Sequence, residues 1–459
     1  MHLVLSDRDN TCGSSRSAMF LIVSAIVAAL GSFLFGFDTA VISGTTDSLR
    51  NAYGLTDNLL GFTVASALIG TLFGTLCVGR PADWWGRRPV LAMLAVVFLV
   101  SAVGCALAWD WYALLFFRWL GGVAVGGASV VSPVYITEIS PARRRGLLVA
   151  IAQLNVVLGI LAAYFSNYVV GRLIGMENPN VWRWMFGMMA VPSILFLVST
   201  LVIPESPRWL VKRGRLRQAE EVLGSFGHEN PAAETADIET SLRGELAGKY
   251  EQLFQRKYLT PLLLAFMVAA FNQLDGINAI IYYTADIFKM AGADSTSALM
   301  QSMVVGLTNM VMTIVGMLLI DRVGRKLLLL VGSITFAASH LLAAWCFYVG
   351  AKGWVVLMAM MGIVGSHAFS QGVVVWVIIN ELLPNAIRAS GSAVISCSLW
   401  VLCMAVSWTF PVIVGASSVF AFVFFAVMMV LQFVLVFKFL PETKGKSLED
   451  IQRLWKVSD

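Results

Sequence analysis

The sequence predicts an all-α membrane protein of twelve membrane-spanning helices, arranged as two six-helix bundles with a helical linker between them. Three observations carry this. The chain is 58% hydrophobic and only 13% charged over 459 residues, far from the balance of a water-soluble domain. About twelve stretches reach the ~20 mainly apolar residues that a spanning helix needs. Short loop motifs of the first half recur in the second half in the same order, which marks an internal duplication.

The spans read as 19–43, 58–79, 89–109, 111–136, 146–170, 184–203, 259–288, 298–320, 326–349, 354–380, 390–412 and 416–439, to within a few residues at each end. The first is too long for a signal-peptide core and follows a polar run, so it reads as a span. Lys and Arg in short loops set the orientation. One side carries Arg80, Arg87 and Arg88, then Arg143, Arg144 and Arg145, then Arg322, Arg325 and Lys326, then Arg388, Lys444 and Lys446. The other side has Arg50, Arg172, Lys289 and Lys352, scattered over several loops. The rich side is expected to face the cytoplasm, with both termini on it. The net charge of +5 follows from this topology and gives no case for nucleic acid.

The expected division is a cytoplasmic N-terminal tail at 1–18, a first bundle at 19–205, a linker at 206–258, a second bundle at 259–440 and a cytoplasmic C-terminal tail at 441–459. The linker holds helix-forming runs such as Leu216 to Leu223, with breakers at Gly227 and Pro231. It reads as short helices packed under the bundles, because its apolar residues are periodic.

The duplication is visible residue by residue. Asp83 to Arg88 after the second span matches Asp321 to Lys326 after the eighth. Glu138, with Arg145 seven residues on, matches Glu381, with Arg388 seven residues on. Pro204-Glu205-Ser206-Pro207-Arg208 after the sixth span matches Pro441-Glu442-Thr443-Lys444 after the twelfth. Each pair is offset by about 240 residues, and a fixed offset of this kind is what a repeat leaves. One such loop is weak evidence; three matched pairs at one offset are strong.

Polar residues stand where lipid-facing helices carry Leu and Val. In the seventh span the run Phe271-Asn272-Gln273-Leu274-Asp275-Gly276-Ile277-Asn278 gathers three amides and an acid. An acid at bilayer depth costs about 2.5–3.5 kcal/mol on insertion scales, so such groups face a protein interior or a wet cavity. Gly276 can loosen the helix, and irregular backbone is tolerated at that depth only where it is covered or lines a cavity. Amides both donate and accept, which suits a neutral polyhydroxyl ligand, though a polar helix–helix contact would use the same residues. Asp38 in the first span and Arg118 in the fourth are opposite charges within apolar stretches, and such charges tend to pair. Asp38 reads as a proton carrier in preference to an acid reaching the interface.

Catalysis finds no support. The six cysteines have no metal or disulfide spacing. No phosphate loop or nucleophile–base pair is present, no cofactor is implied, and His340 and His367 stand without a motif around them.

With these residues in view, the chain resembles the sugar porter family of the major facilitator superfamily, over nearly its whole length, from about Phe35 to about Leu448. The resemblance rests on the duplicated loops, on Pro204 to Leu210 and Pro441 to Gly445, and on Gln273-x-x-Gly276-Ile277-Asn278 followed by Tyr282-Tyr283. It implies the major facilitator fold, two bundles rocking about a central sugar site, working as a monomer in a lipid bilayer. It maps sugar contacts onto Phe35, Gln153, Asn272, Gln273, Asn278, Asn309, Trp376 and Trp400. Amides bond hydroxyls, and indole faces cover the apolar face of a pyranose. Asp38 paired with Arg118 resembles the proton-coupled members; facilitators often carry Asn there. Proton-coupled uptake of a hexose or pentose is therefore expected, with a uniporter or a transporter-like sensor as the alternatives. Asp275, where relatives carry a small or apolar residue, is a rival proton carrier or an extra acceptor for sugar. Asn272 is one methylene shorter than the usual Gln, Leu399 replaces a polar residue, and Ser370-Gln371-Gly372-Val373 lacks the usual proline. These departures bear on which sugar is carried.

A coupling acid must exchange its proton near neutral pH, whereas an unperturbed Asp titrates at about 3.9. Movement of Asp38 relative to Arg118 can supply the difference. Asp83, Arg87, Glu138, Arg145, Glu205 and Arg208 in one half, and Asp321, Arg325, Glu381, Arg388 and Glu442 in the other, are expected to form a cytoplasmic gate that closes in the outward-open state. Removing Glu138 or Arg388 is expected to bias the protein inward-open. The absence of targeting features points to a multi-pass protein of a bacterial inner membrane.

Overall fold

The computed structural model describes residues 6–141, 145–247 and 253–446, and every regular element among them is helical. Twelve helices among these residues are long and apolar enough to cross a membrane, from Ser17–Gly44 to Ser418–Phe439. Their limits lie within a few residues of those expected for most spans. Arg143, Arg144 and the outermost parts of both tails lie outside the described residues, as does the side chain of Arg145.

Side-chain caps fix several helix starts, satisfying N–H groups that no helical carbonyl can reach. Asp110 accepts from the Ala113 N–H at 2.7 Å, and Asp294 accepts from Ser297 at 3.1 Å. Both open spans at the end of the molecule away from the linker. The linker itself forms Pro207–Lys212, Leu216–Ser225 and Pro231–Ala247, the short helices its periodicity predicts. Trp209, Leu210, Val211 and Ala219 make a small core there. The Trp209 indole donates to the Asp83 carbonyl at 3.0 Å, which ties the linker to the first bundle.

Among the described residues, three spans are interrupted. The sixth breaks between Val181–Gly187 and Ala190–Thr200. The seventh runs as Leu259–Leu274, Ile277–Tyr282 and Thr284–Met290. Its break is at Gly276, whose φ of 80° is a left-handed value that a Cβ disfavours; a Cβ there would also lie 2.6 Å from the Phe425 ring. The tenth breaks at Ser370, between Trp354–Phe369 and Gln371–Leu382. The sequence signals the first of these last two breaks through its glycine. It carries no comparable signal for the second.

The two halves meet through the second and eleventh spans and through the fifth and eighth. Hydrogen bonds between the halves cluster at the end opposite the linker. Ser43 Oγ accepts from the Ala285 N–H at 3.1 Å, Thr46 donates to Asp286 at 2.8 Å, and Lys289 pairs with Asp47. Trp408 donates to Asn58 at 2.9 Å, and the Tyr164 hydroxyl donates to the Ile281 carbonyl at 2.8 Å. Gly61 lets the second span touch the eleventh, since a Cβ on it would collide with the Trp408 carbonyl. Three of these contacts join positions 240–242 residues apart. That is the repeat offset, so each half presents corresponding residues to the other across a pseudo-two-fold axis.

Candidate functional site

The first helix carries Phe35 and Asp38 one turn apart. Asp38 is buried and its Oδ1 accepts from Arg118 Nη1 at 2.7 Å. The two side chains are 8% and 2% exposed. Opposite charges this well covered hold one another in place, because separating them leaves a bare ion in a low-dielectric interior. The Arg118 guanidinium also lies 5.5 Å from the Phe186 ring centre, while its Nε has no partner among the described residues. One helical turn toward the linker, the Phe35 ring meets the edge of Trp400 of the eleventh span, 5.7 Å between centres. This contact crosses from the first half to the second.

Beyond it lies a chain of amides. Asn278 donates to Gln273 at 2.7 Å, Gln273 donates to Asn272 at 2.9 Å, and Asn272 reaches Gln371 of the tenth span at 3.5 Å. Asn272 and Gln273 are buried. The break at Gly276 brings Asn278 back onto Gln273, five residues earlier, a partner spacing that an uninterrupted helix does not offer. The amides bond one another here, and a hydroxylated ligand can replace those bonds with its own. Trp400 is buried, whereas Trp376 keeps 42% of its surface open. Asn309 is buried on the eighth span and Gln153 half-buried on the fifth. Neither makes a side-chain bond to the amide chain among the described residues.

Asp275 is fully buried, with a partner that the sequence reading left out. Its Oδ2 lies 3.0 Å from Nδ1 of His367, and its Oδ1 accepts from the Ile277 N–H at 2.8 Å. The signal was present: an intramembrane acid seeks a cation or donor, and His367 is one of few such groups in the second half.

At the linker end the duplicated loops build two matched networks. Arg87 makes a two-point contact with Glu138, both bonds 2.9 Å, and reaches Asp83 at 3.2 Å. Arg325 reaches Glu381 at 3.2 Å and Asp321 at 3.1 Å. Glu205 accepts from the backbone of Arg87 and Arg88, and Glu442 from that of Arg325 and Lys326. Burial pushes the Glu205 carboxyl above the usual carboxylate range, and the N–H groups of Ser206, Arg87 and Arg88 hold it back. Arg388 donates to the Asn380 and Leu383 carbonyls, and Arg208 sits in the first linker helix. These named pairs each lie within one half.

The family described as "Sugar (and other) transporter" matches residues 24–455. The chain is 37% identical to the arabinose–proton symporter of Bacillus subtilis (strain 168), over 96% of both chains. It is 35% identical to the D-xylose–proton symporter of Escherichia coli (strain K12), again over 96% of both. Among solved structures, the inward-open xylose transporter of Escherichia coli superposes with a TM-score of 0.84 at 34% identity, covering 94% of this chain and 99% of that one. The same transporter bound to 6-bromo-6-deoxy-D-glucose gives 0.79 at 35% identity, covering 96% of this chain and all of that one. With the fold and these matches together, the chain belongs to the sugar porter family of the major facilitator superfamily: it is a multi-pass membrane transporter and not an enzyme.

Proposed function

We propose that this chain imports a monosaccharide together with a proton, by alternating access in a bacterial inner membrane, with the linker end in the cytoplasm. The observation that carries the reading is the buried Asp38–Arg118 pair one turn from the Phe35–Trp400 contact. A single helix thereby touches both the candidate proton carrier and the candidate sugar site. The named relatives that carry pentoses with protons support it.

The sugar is a pentose or a glucose-like hexose. Gln153, Asn272, Gln273, Asn278 and Asn309 bond its hydroxyls, and Phe35, Trp376 and Trp400 cover its apolar faces. Seam contacts at the end away from the linker make this an inward-facing state, in keeping with the inward-open relative. Asp38 takes its proton from outside, sugar binds, and the halves rock. Arg118 then favours the carboxylate, and the proton leaves to the cytoplasm. The Arg87–Glu138 and Arg325–Glu381 networks close the cytoplasmic side when the halves swing together. The unit acts as a monomer.

The test uses purified protein in liposomes containing a pH dye, with glucose, xylose, galactose, arabinose, fructose and myo-inositol added in turn. Internal acidification with one of them supports the reading and identifies the substrate. Sugar uptake without acidification would make the protein a uniporter.

A further inference from the structure

We propose that Asp275 and His367 form a positioning pair for the sugar site, a bolt between the breaks of the seventh and tenth helices that sets how tightly sugar is held. This rests on the sugar reading above and deepens it.

Both residues sit at interruptions. Asp275 is the residue before Gly276, and its Oδ1 accepts from the Ile277 N–H at 2.8 Å. This Asx-type bond spans Gly276 and sets the direction in which Ile277–Tyr282 leaves, hence where Asn278 sits. His367 is three residues before Ser370, the break of the tenth span, and its ring edge lies 3.0 Å from the other carboxylate oxygen. One carboxylate therefore holds both breaks, one through each oxygen.

A second link runs alongside. Asn272 reaches Gln371, the first residue after the tenth break, at 3.5 Å. That bond is long, whereas His367 Nδ1 and Asp275 Oδ2 stand at the ordinary hydrogen-bond distance of 3.0 Å. The surroundings favour a single geometry. Asp275 is fully buried and the His367 side chain only 15% exposed. The Phe336 ring stands edge-on to His367, 6.2 Å between centres. Phe425 fills the space beneath Gly276. A carboxyl so enclosed cannot fall back on water, so losing His367 leaves one of its oxygens without a partner.

The consequence falls on the sugar. Gln273 and Asn278 flank the seventh break, and Trp376 follows the tenth. The bolt fixes the spacing between the amides on one helix and the indole on the other. Freed, each segment must be ordered by the ligand, which lowers affinity while leaving the proton pair in the other half intact.

The experiment is equilibrium sugar binding to the full-length protein in detergent, read by tryptophan fluorescence, with melting temperature measured on each sample. The sugar is the one that acidifies liposomes above. The variants are Asp275→Val, His367→Phe, the two together, and Asp275→Asn, which keeps an oxygen for the Ile277 N–H. Each apolar single variant is expected to raise Kd about tenfold or more, a loss of about 1.4 kcal/mol. The double variant should do no worse than the worse single one, because residues that act only through each other are not additive. Asp275→Asn should recover part of the affinity. Unchanged Kd in folded variants, or losses that add in the double variant, would overturn the pair as a positioning device. Failure of the wild type to bind any of the sugars would overturn the sugar reading as well, which separates the two failures.

Discussion

The two halves of this molecule share a plan and divide the work. At the linker end they are nearly copies. Arg87 with Glu138, Asp83 and Glu205 has its counterpart in Arg325 with Glu381, Asp321 and Glu442. Within the bilayer they part. The first half holds an ion pair between Asp38 and Arg118, with a 2.7 Å bond. The second half answers with amides at Asn272, Gln273 and Asn278, and with a histidine–carboxylate pair in place of an arginine. At the repeat offset Asp38 corresponds to Asn278, so one position reads as proton carrier in one half and as hydroxyl partner in the other. Duplication supplied the frame and the matched networks at the linker end. Substitution at a few intramembrane positions set an ion pair in one half and a chain of amides in the other.

The sharpest way to break this comparison is to remove the cation of the first half. Arg118→Leu leaves Asp38 buried and unpaired, with an expected stability loss of about 3–5 kcal/mol. A fall in melting temperature and in folded yield checks it. Asp38→Asn strands the buried Arg118 cation in its turn and should cost a comparable amount. Losses below about 1 kcal/mol in both variants would mean that the pair is mere packing.

Next in size is the seam. Gly61→Leu places a side chain against the Trp408 carbonyl, so the end away from the linker cannot close. Transport is expected to fall at least tenfold, with greater labelling of a cysteine placed near Ser43 by a membrane-impermeant reagent. Unaltered labelling would show that the seam tolerates the bulk by another route.

Smaller still are the amides. Gln273→Ala removes both bonds that Gln273 makes in the chain. It should raise the sugar Kd about three- to thirtyfold, the range that one or two lost hydrogen bonds give. Smallest are the gate networks. Glu138 meets Arg87 through two bonds and Glu381 meets Arg325 through one at 3.2 Å. Glu138→Ala should therefore slow transport more than Glu381→Ala, and the reverse order would count against the geometry. Each of these pairs lies within one half, so the comparison sets one half against its copy.

Much of this could be read before the fold was known. Apolar run length fixes the spans because the bilayer imposes it. The duplicated loops announce the halves, and Gly276 marks the break of the seventh helix. The pairing of Asp38 with Arg118 follows because charges in lipid must find each other. What escaped was relational. His367 has no local motif, and its meaning comes only from Asp275, 92 residues away. The seam of Asp47 with Lys289 and Thr46 with Asp286 has no local motif, because its logic is the repeat axis. The break at Ser370 went unseen because no proline or left-handed glycine announces it.

The most direct test of the central claim compares wild type with Asp38→Asn in liposomes holding a pH dye and radiolabelled sugar, under an inwardly directed proton gradient and a potential of about 100 mV. One charge crossing that potential supplies about 2.3 kcal/mol, close to a fiftyfold gradient. The account predicts that wild type accumulates sugar against its gradient with acidification in step, and that Asp38→Asn neither accumulates sugar nor moves protons with it. Undiminished uphill uptake by Asp38→Asn would contradict the account and take the proton away from the first half.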